Sequence, residues 1–184
     1  SCRTNPGEKH YVICNADEGD PGAFMDRSVL EGNPHSVIEG MIIAGVAVGA
    51  TKGYVYIRSE YPDAVEVMQR AVNNGRALGL LGASVLGSGH AFDVEVRVGA
   101  GAYVCGEETS LLNSLEGKRG VVRAKPPLPA LQGFMGKPTV VNNVETLANL
   151  PHILNRGAEW FASIGSPPKS TGTRVFCVSG HVAR

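Results

Sequence analysis

The chain has 184 residues, which suits one domain with a full hydrophobic core plus a piece of a second. Its formal charge is zero and it carries no basic run, which argues against nucleic acid or an anionic membrane surface as a partner. The most apolar stretch, residues 37–50, is interrupted by Glu39 and is too short to span a bilayer, so we expect no direct membrane insertion.

The four cysteines predict a reducing environment. No C-x-x-C pair occurs, so the sequence indicates neither a zinc site nor a complete iron–sulfur site, and buried free thiols in the cytoplasm are the favoured interpretation. No signal peptide is visible in residues 1–10, which also favours a cytoplasmic location. The cysteines are Cys2, Cys14, Cys105 and Cys177.

Strands and helices alternate through the first two thirds of the chain. In order, the patterns predict a strand at 11–14, a polar loop at 15–27, a helix at 34–50, a strand at 53–58, a helix at 61–78, a strand at 92–98, and a Gly-rich turn leading into a helix that stops at Gly117. This alternation predicts an α/β fold, with a mostly parallel sheet and crossover helices.

The last third is less regular. Residues 119–138 form a long irregular segment in which several prolines bar helix. Asn143 is a good N-cap for a helix to about Asn155, and Trp160 and Phe161 suit a short amphipathic helix. We expect residues 1–165 to form one α/β domain, and residues 166–184 to be a linker and the first strand, at 173–179, of a following β-containing domain.

An acidic loop follows the first strand. Asp17, Glu18 and Asp20 lie within four residues, and carboxylates are natural acceptors for the hydroxyls of a sugar. Taken alone, a solvated acidic turn is the favoured alternative. A loop that holds a divalent ion is weaker, because the ligand alternation of an EF-hand is missing.

The Gly-rich turn at 99–106 runs into a helix whose first turn carries Glu107 and Glu108. Bare glycine backbone lets a ligand approach main-chain N–H groups, and two carboxylates there accept hydrogen bonds from ribose or ribityl hydroxyls. Favourable interaction with the helix dipole explains the pair about equally well. Tyr103 beside the turn is more typical of a core residue than of a ring stacked on a cofactor.

Two further features have plain structural interpretations. The segment Asn142-Asn143-Val-Glu-Thr146 predicts ordinary N-capping, and the same helix start is able to bind a phosphate. Lys125 in the Pro-rich segment is typical of a solvated lysine, but it is also suited to pairing with a pyrophosphate.

Both the acidic loop and the Gly-rich turn follow strands. In open parallel sheets, ligands bind outside the carboxyl ends of the strands, so the two segments are expected to face one cleft. Carboxylates converging beside a helix N-terminus predict a hydroxyl-rich nucleotide cofactor.

Read together, these segments resemble the NADH-binding flavoprotein subunit of respiratory complex I and its relatives in NAD(P)-linked hydrogenases and formate dehydrogenases. Four motifs carry the resemblance, in order: Asn15-Ala-Asp-Glu-Gly-Asp-Pro-Gly-Ala-Phe-Met-Asp-Arg27, Gly99-Ala-Gly-Ala-Tyr-Val-Cys-Gly-Glu-Glu-Thr109, Lys125-Pro-Pro-Leu-Pro129 and Gly136-Lys-Pro-Thr-Val-Val-Asn-Asn-Val-Glu-Thr146. Met25 and the Glu-Gly-Asp sequence at 18–20 are more like the hydrogenase-linked members.

The resemblance implies a Rossmann-like domain that binds FMN and NAD(H). It implies roles for three groups of residues: Asn15, Asp17 and Glu18 at the flavin; Tyr103, Gly106, Glu107 and Glu108 flanking flavin and nicotinamide nucleotide; and Asn142, Asn143 and Thr146 at the FMN phosphate. Asp20 and Lys125 resemble positions that meet the dinucleotide. Glu108 beside the adenosine ribose would repel a 2′-phosphate and favour NAD over NADP. Leu128 stands where respiratory members tend to have an aromatic residue able to stack on adenine.

The implied activity is hydride transfer between NAD(H) and FMN, followed by one-electron transfer to iron–sulfur clusters in partner subunits. The resemblance places a Gly-rich flavin loop upstream of Tyr11 and a cysteine-rich segment, ligating a 4Fe-4S cluster, far downstream. We therefore expect an internal fragment of an oxidoreductase subunit that is inactive alone, with no catalytic acid or base and no metal ligands of its own. The alternative is a nucleotide-binding or scaffold module of a multi-subunit complex without redox activity.

Overall fold

The computed structural model describes residue 2 and residues 9–183, and its centre is a parallel sheet. The strands are β1 (Tyr11–Ala16), β2 (Lys52–Arg58), β3 (Asp93–Gly99) and β4 (Thr139–Asn143), in the order β3-β2-β1-β4. All three pairings are parallel, so the expected α/β fold with a mostly parallel sheet is confirmed. In the register of β1 and β4, Asn15 lies beside Asn143 at the carboxyl ends of their strands.

Helices cover both faces of the sheet. They are α1 (Met25–Gly32), α2 (Pro34–Val48), α3 (Pro62–Ala77), α4 (Glu108–Leu115), α5 (Pro129–Gln132), α6 (Val144–Arg156) and α7 (Ala158–Ala162). On one face, α1, α2, α3 and α6 bury a large core that includes Met41, Met68 and Leu147. On the other face, α4 buries Leu111 and Leu112 against a smaller cluster with Tyr56. The result is the three-layer arrangement that a parallel sheet needs to cover both faces.

The closest packing in the larger core is between α2 and α6. Gly40 sits on α2 where a Cβ atom would overlap the carbonyl oxygen of Leu147 on α6. Only glycine lets the two helix backbones approach this far. The start of α2 at Pro34 was predicted from the sequence, and the helix ends at Gly49, which has a φ of 73°.

Helices α1 and α5 and strand β4 were not predicted. Helix α5 lies in the segment where prolines were expected to bar helix, but its proline, Pro129, is in the first turn, where proline is tolerated. Helix α1 begins at Met25, inside the segment expected to be a polar loop, and β4 precedes α6 in a segment for which no strand was expected. The α1 helix lacks a side-chain cap from the residue before it, so no local start signal exists. Strand β4 has five residues, too few for its period to stand out beside a predicted helix.

The strand predicted at 173–179 is wrong, because these residues form no regular structure. A strand needs a partner for its backbone groups, and no described strand lies beside this segment. Instead it packs as a strap on α1 and α6: the Val175 N–H donates to Glu145 at 2.8 Å, and the Phe24 N–H donates to the Cys177 sulfur at 3.1 Å. The expected linker contains a short hairpin of β5 (Gly165–Ser166) and β6 (Ser170–Thr171).

The thiols are free, as expected, in the part of the chain that the structure describes. Cys2, Cys14 and Cys105 are buried, whereas Cys177 is partly exposed. Burial raises the pKa of the Cys14 thiol well above its ordinary value, with a further contribution from Asp26. Among the described residues, no helix is both long and apolar enough to cross a membrane.

Candidate functional site

The acidic loop and the Gly-rich turn meet at the carboxyl edge of the sheet. Asn15, near the end of β1, donates from its side-chain amide to the Gly106 carbonyl at 2.9 Å. Its own side-chain oxygen accepts from the Asp17 N–H at 3.1 Å, which bends the loop back toward the turn. The Asn15 side chain therefore links the acidic loop to the Gly-rich turn, and the two hydrogen-bonded residues are 91 positions apart in the chain.

A cavity of about 450 Å³ opens where these segments meet. It is lined by Gly19, Asp20, Tyr103, Val104, Gly106 and Glu107. Its size falls within the range of roughly 300–1,000 Å³ that is usual for small-molecule sites. Tyr103 is 74% exposed, so it is not the core residue that its type suggested. A Cβ atom on Gly19 would lie 2.9 Å from its ring, so the absence of a side chain at Gly19 lets the acidic loop pack directly against Tyr103.

Asp17, whose backbone carbonyl contacts Gly106 of the cavity wall, has an unsatisfied side-chain oxygen. Its Oδ2 atom is buried and lacks a hydrogen-bond partner among the described residues. The pKa of Asp17 is raised to about 6. Burial is the largest cause, the charge on Arg58 opposes the rise, and the charge on Glu60 adds to it. A buried acceptor without a hydrogen-bond partner lowers the stability of the fold, so the Asp17 carboxyl is suited to accept a hydrogen bond from a ligand.

Glu18 points away from the cavity and caps α1. Its carboxylate accepts from the backbone N–H groups of Met25, Asp26 and Arg27 at 2.8, 3.2 and 3.3 Å. The hydroxyl of Tyr61 donates to the same carboxylate at 3.3 Å. Glu18 therefore replaces the missing local cap of α1 from seven residues upstream.

Glu107 and Glu108 are joined by Lys125. Glu107 caps α4 by accepting from the Thr109 and Ser110 N–H groups, and the Lys125 ammonium lies 3.0 Å from Glu107 and 2.5 Å from Glu108. Burial tends to raise the pKa of Glu107, but these hydrogen bonds bring it below its usual range. The two carboxylates correspondingly raise the pKa of Lys125. The Pro-rich segment thus closes over the turn through one ion-paired lysine.

Asn143 caps α6 and contacts a buried acid. Its Oδ1 accepts from the Glu145 N–H at 2.9 Å, which confirms the predicted capping. Its Nδ2 donates to both carboxylate oxygens of Asp26, at 3.0 and 2.9 Å. Asn142 is half-buried at the end of β4. Thr146 is exposed and lines a different cavity, of about 230 Å³, together with Arg174.

Two residues of this region were missed by the sequence analysis. Asp26 was treated as one more charge of a polar loop, yet it is 3% exposed and bonded to Asn143. Arg58, at the end of β2, supplies the positive charge beside Asp17 and donates to the Glu18 carbonyl. The only available signal was position, because Arg58 also ends a predicted strand and so lies at the same edge of the sheet.

A parallel sheet with a cavity at this edge is typical of the class of α/β proteins that bind nucleotides at the carboxyl ends of their strands. A family model described as the Nuo51 FMN-binding domain matches residues 2–152. The chain belongs to this family, as the motif resemblance implied.

Named relatives agree with this assignment. The chain is 56% identical over 97% of its length to the NADP-reducing hydrogenase subunit HndC of Solidesulfovibrio fructosivorans, and covers 36% of that protein. It is 49% identical over 97% of its length to the mitochondrial NADH dehydrogenase [ubiquinone] flavoprotein 1 of Dictyostelium discoideum, and covers 37% of it. The chain thus spans well under half the length of these curated relatives.

A solved structure shows the same fold. The crystal structure of an NAD⁺-reducing [NiFe]-hydrogenase in the air-oxidized state superposes with a TM-score of 0.82 at 44% identity. The match covers 99% of this chain and 30% of that one.

The residues of the cavity fit the cofactor of this family. FMN combines a flat ring with a hydroxylated chain and a phosphate. The exposed Tyr103 ring suits the flat ring, and the unpartnered oxygen of Asp17, a residue that contacts Gly106 of the cavity wall, suits a donor group. Asn143 holds the start of α6, where backbone N–H groups favour an anion.

Proposed function

We propose that this chain is the FMN- and NAD(H)-binding part of a longer NADH-dehydrogenase-type flavoprotein subunit. The observation that carries the proposal is the Asn15–Gly106 hydrogen bond, which brings the acidic loop and the Gly-rich turn around one cavity at the carboxyl edge of the sheet. When bound, FMN supplies the chemistry that accepts a hydride from NADH and releases electrons singly to iron–sulfur clusters.

The side chains of this domain bind and orient, and none is needed as an acid or a base. Asn15, Asp17 and Tyr103 are assigned to the flavin, together with Gly106 and Glu107. Asn142, Asn143 and Thr146 are assigned to the phosphate. Glu18 is assigned to the flavin site indirectly, because its carboxylate is used to fix the start of α1 and hence the shape of the loop.

The dinucleotide is assigned to the outer side of the cavity. Asp20 lines its wall, and Lys125 is placed over Glu107 and Glu108. A lysine in this position offers positive charge to a diphosphate, whereas Glu108 offers a carboxylate to a ribose and repels a 2′-phosphate. NAD is therefore the favoured dinucleotide.

The whole protein is proposed to work in a multi-subunit complex. Subunits that carry iron–sulfur clusters are the proposed electron acceptors, a cytoplasmic location is proposed, and a 4Fe-4S cluster is assigned to parts of the protein other than this chain. Residues 1–165 are proposed as the flavin domain and residues 166–184 as the entry to a following domain. The exposed apolar side chains of Val175, Phe176 and Val178 support this division, because a neighbouring domain would cover them.

A matched pair of variants in the full-length protein tests the proposal. Asn15→Ala removes the bond to the Gly106 carbonyl, whereas Asn155→Ala changes an exposed asparagine near the far end of α6. FMN affinity, measured by quenching of flavin fluorescence, is expected to fall about fivefold for the first variant, since one lost hydrogen bond is worth roughly 1 kcal/mol. The second variant should bind normally. Wild-type protein that binds no FMN and reduces no acceptor with NADH would refute the proposal.

One observation favours a second candidate, a scaffold module without redox activity. The carboxylates of Glu18, Glu107 and Glu108 are all engaged by internal caps or by Lys125, so structural roles explain them without a ligand. Capture of a partner subunit by flavin-free protein, together with no flavin binding at all, would support this candidate over the first.

A further inference from the structure

Asp26 is a buried carboxyl that the proposed function does not yet use. It lies in the first turn of α1, is 3% exposed, and directs both oxygens at the Nδ2 atom of Asn143. This bond joins residues 117 positions apart. Because the Nδ2 atom of Asn143 donates to Asp26, its Oδ1 atom faces the Glu145 N–H and accepts from it. Asp26 therefore fixes the orientation of the Asn143 side-chain amide.

The surroundings of Asp26 are acidic. Glu18 lies on the loop after β1 and Glu145 on the first turn of α6, and both disfavour a charge on Asp26. The other ionisable groups nearby are Cys14 on β1, Tyr61 bonded to Glu18, Arg27 on the same helix and Arg174 on the strap. Arg27 pairs with Glu31 at 2.8 Å, and Arg174 lies 3.8 Å from Glu145. Among the described residues, no lysine or arginine forms an ion pair with Asp26.

We infer that Asp26 is a positioning residue that orients Asn143 and takes up a proton when the site accepts the doubly charged phosphate of FMN. The inference rests on the proposed function, because it needs the phosphate to lie at Asn143. A carboxylate bonded to that asparagine would repel the phosphate, whereas a neutral carboxyl would not. Protonation removes the repulsion and keeps an oxygen free to accept from Asn143.

The ionisation of Asp26 supports this coupling. Burial, followed by the charge on Glu18, raises the pKa of Asp26 to about 7, against the lowering effect of the Asn143 hydrogen bond. The carboxyl therefore changes charge near neutral pH even before a further anion arrives. A phosphate monoester has its second pKa near 6 and is mainly doubly charged above pH 7, so the ligand contributes little titration of its own there.

The test compares FMN with riboflavin, which lacks the phosphate, on the full-length protein after its flavin has been removed. Wild-type affinity for FMN is expected to be about fourfold weaker at pH 8.5 than at pH 7, which is the part of the tenfold effect of a one-unit rise in the pKa of Asp26 that falls between these two pH values. Affinity for riboflavin should be the same at both values. Asp26→Asn should bind FMN equally well at both pH values, as wild type binds riboflavin, while Asp63→Asn, which changes an exposed acid in the first turn of α3, should behave as wild type.

A second measurement needs no variant. Calorimetry at about pH 7.5 in two buffers of different ionisation enthalpy should show FMN binding taking up about half a proton more than riboflavin binding, which is the uptake expected when the pKa of Asp26 rises by one unit from about 7. Equal proton uptake for the two flavins, or an Asp26→Asn protein that keeps the wild-type pH dependence, would overturn the inference. Failure of both flavins to bind would instead overturn the proposed function, so the two failures are distinguishable.

Discussion

The ion pairs of Lys125 lead to a prediction whose sign depends on the ligand. Replacing Lys125 with methionine removes one ammonium group from Glu107 and Glu108, at 3.0 and 2.5 Å. These side chains are each about one third exposed, and pairs of this kind are worth roughly 0.2–1 kcal/mol. Freed of the lysine, the two carboxylates are available to ribose hydroxyls, so adenosine should bind up to about fivefold more tightly to the variant than to wild type.

ADP-ribose should respond in the opposite way. Its diphosphate loses a charged partner worth roughly 1.5–3 kcal/mol, which exceeds the gain from releasing the carboxylates. Its affinity should therefore fall about fivefold to thirtyfold. Calorimetric titration of the full-length protein measures both ligands, and Lys125→Arg, which keeps the charge, is the control. If adenosine and ADP-ribose both weaken or both strengthen, the reasoning about this lysine is refuted.

Four further predictions concern stability and affinity. Gly40→Ala should lower Tm by about 5–10 °C, since the overlap with Leu147 costs about 2–3 kcal/mol, and an unchanged Tm would contradict the close packing of α2 on α6. Glu18→Gln should destabilise the protein to urea by roughly 1 kcal/mol by weakening the cap of α1; an unaltered midpoint would show that the cap is dispensable. Leu128→Phe should tighten NADH binding about fivefold or more, because aromatic stacking on a base is worth roughly 1–3 kcal/mol, and an unchanged Kd would place adenine elsewhere. The pKa of Asp26 is raised to about 7 from an ordinary value of 3.8, so the folded state binds this proton more tightly than the unfolded state does. The resulting contribution to the free energy of unfolding is lost as pH rises from about 4 to 7. Asp26→Asn should therefore flatten the dependence of the free energy of unfolding on pH, measured by urea titration.

The sequence predicted the elements whose signals are local. The core strands at 11–16, 52–58 and 93–99, the helix from Pro34 and the cap at Asn143 all follow from periodicity, proline and capping residues within a few positions. Helix α1 was not predicted because the residue that caps it, Glu18, lies seven residues before its first residue, Met25. The strand predicted at 173–179 was wrong because alternating apolar residues indicate that one face of a strand could be buried, but not that a partner strand is present.

The same division holds for the candidate site. Residue type and position at strand ends predicted that Asn15 and Gly106 would share an edge, and their side-chain bond agrees. The pairing of Asp26 with Asn143 was not predictable, because nothing local distinguishes a buried aspartate from a solvated one in an acidic loop. The predicted roles of individual residues toward FMN and NAD(H) stay predictions that the binding experiments above decide.

The placement of β4 next to β1 has a consequence for biosynthesis. Asn15 and Asn143, which lie side by side on β1 and β4, come from opposite ends of the domain sequence, and the Asp26–Asn143 bond closes a loop of 117 residues. Contacts of such long range form late, after the entropy of closing the intervening chain has been overcome. While a ribosome is still translating the segments between them, the edge of the sheet where β1 and β4 meet does not exist. If FMN binds at this edge as proposed, its insertion is expected to follow completion of the domain rather than to guide early folding.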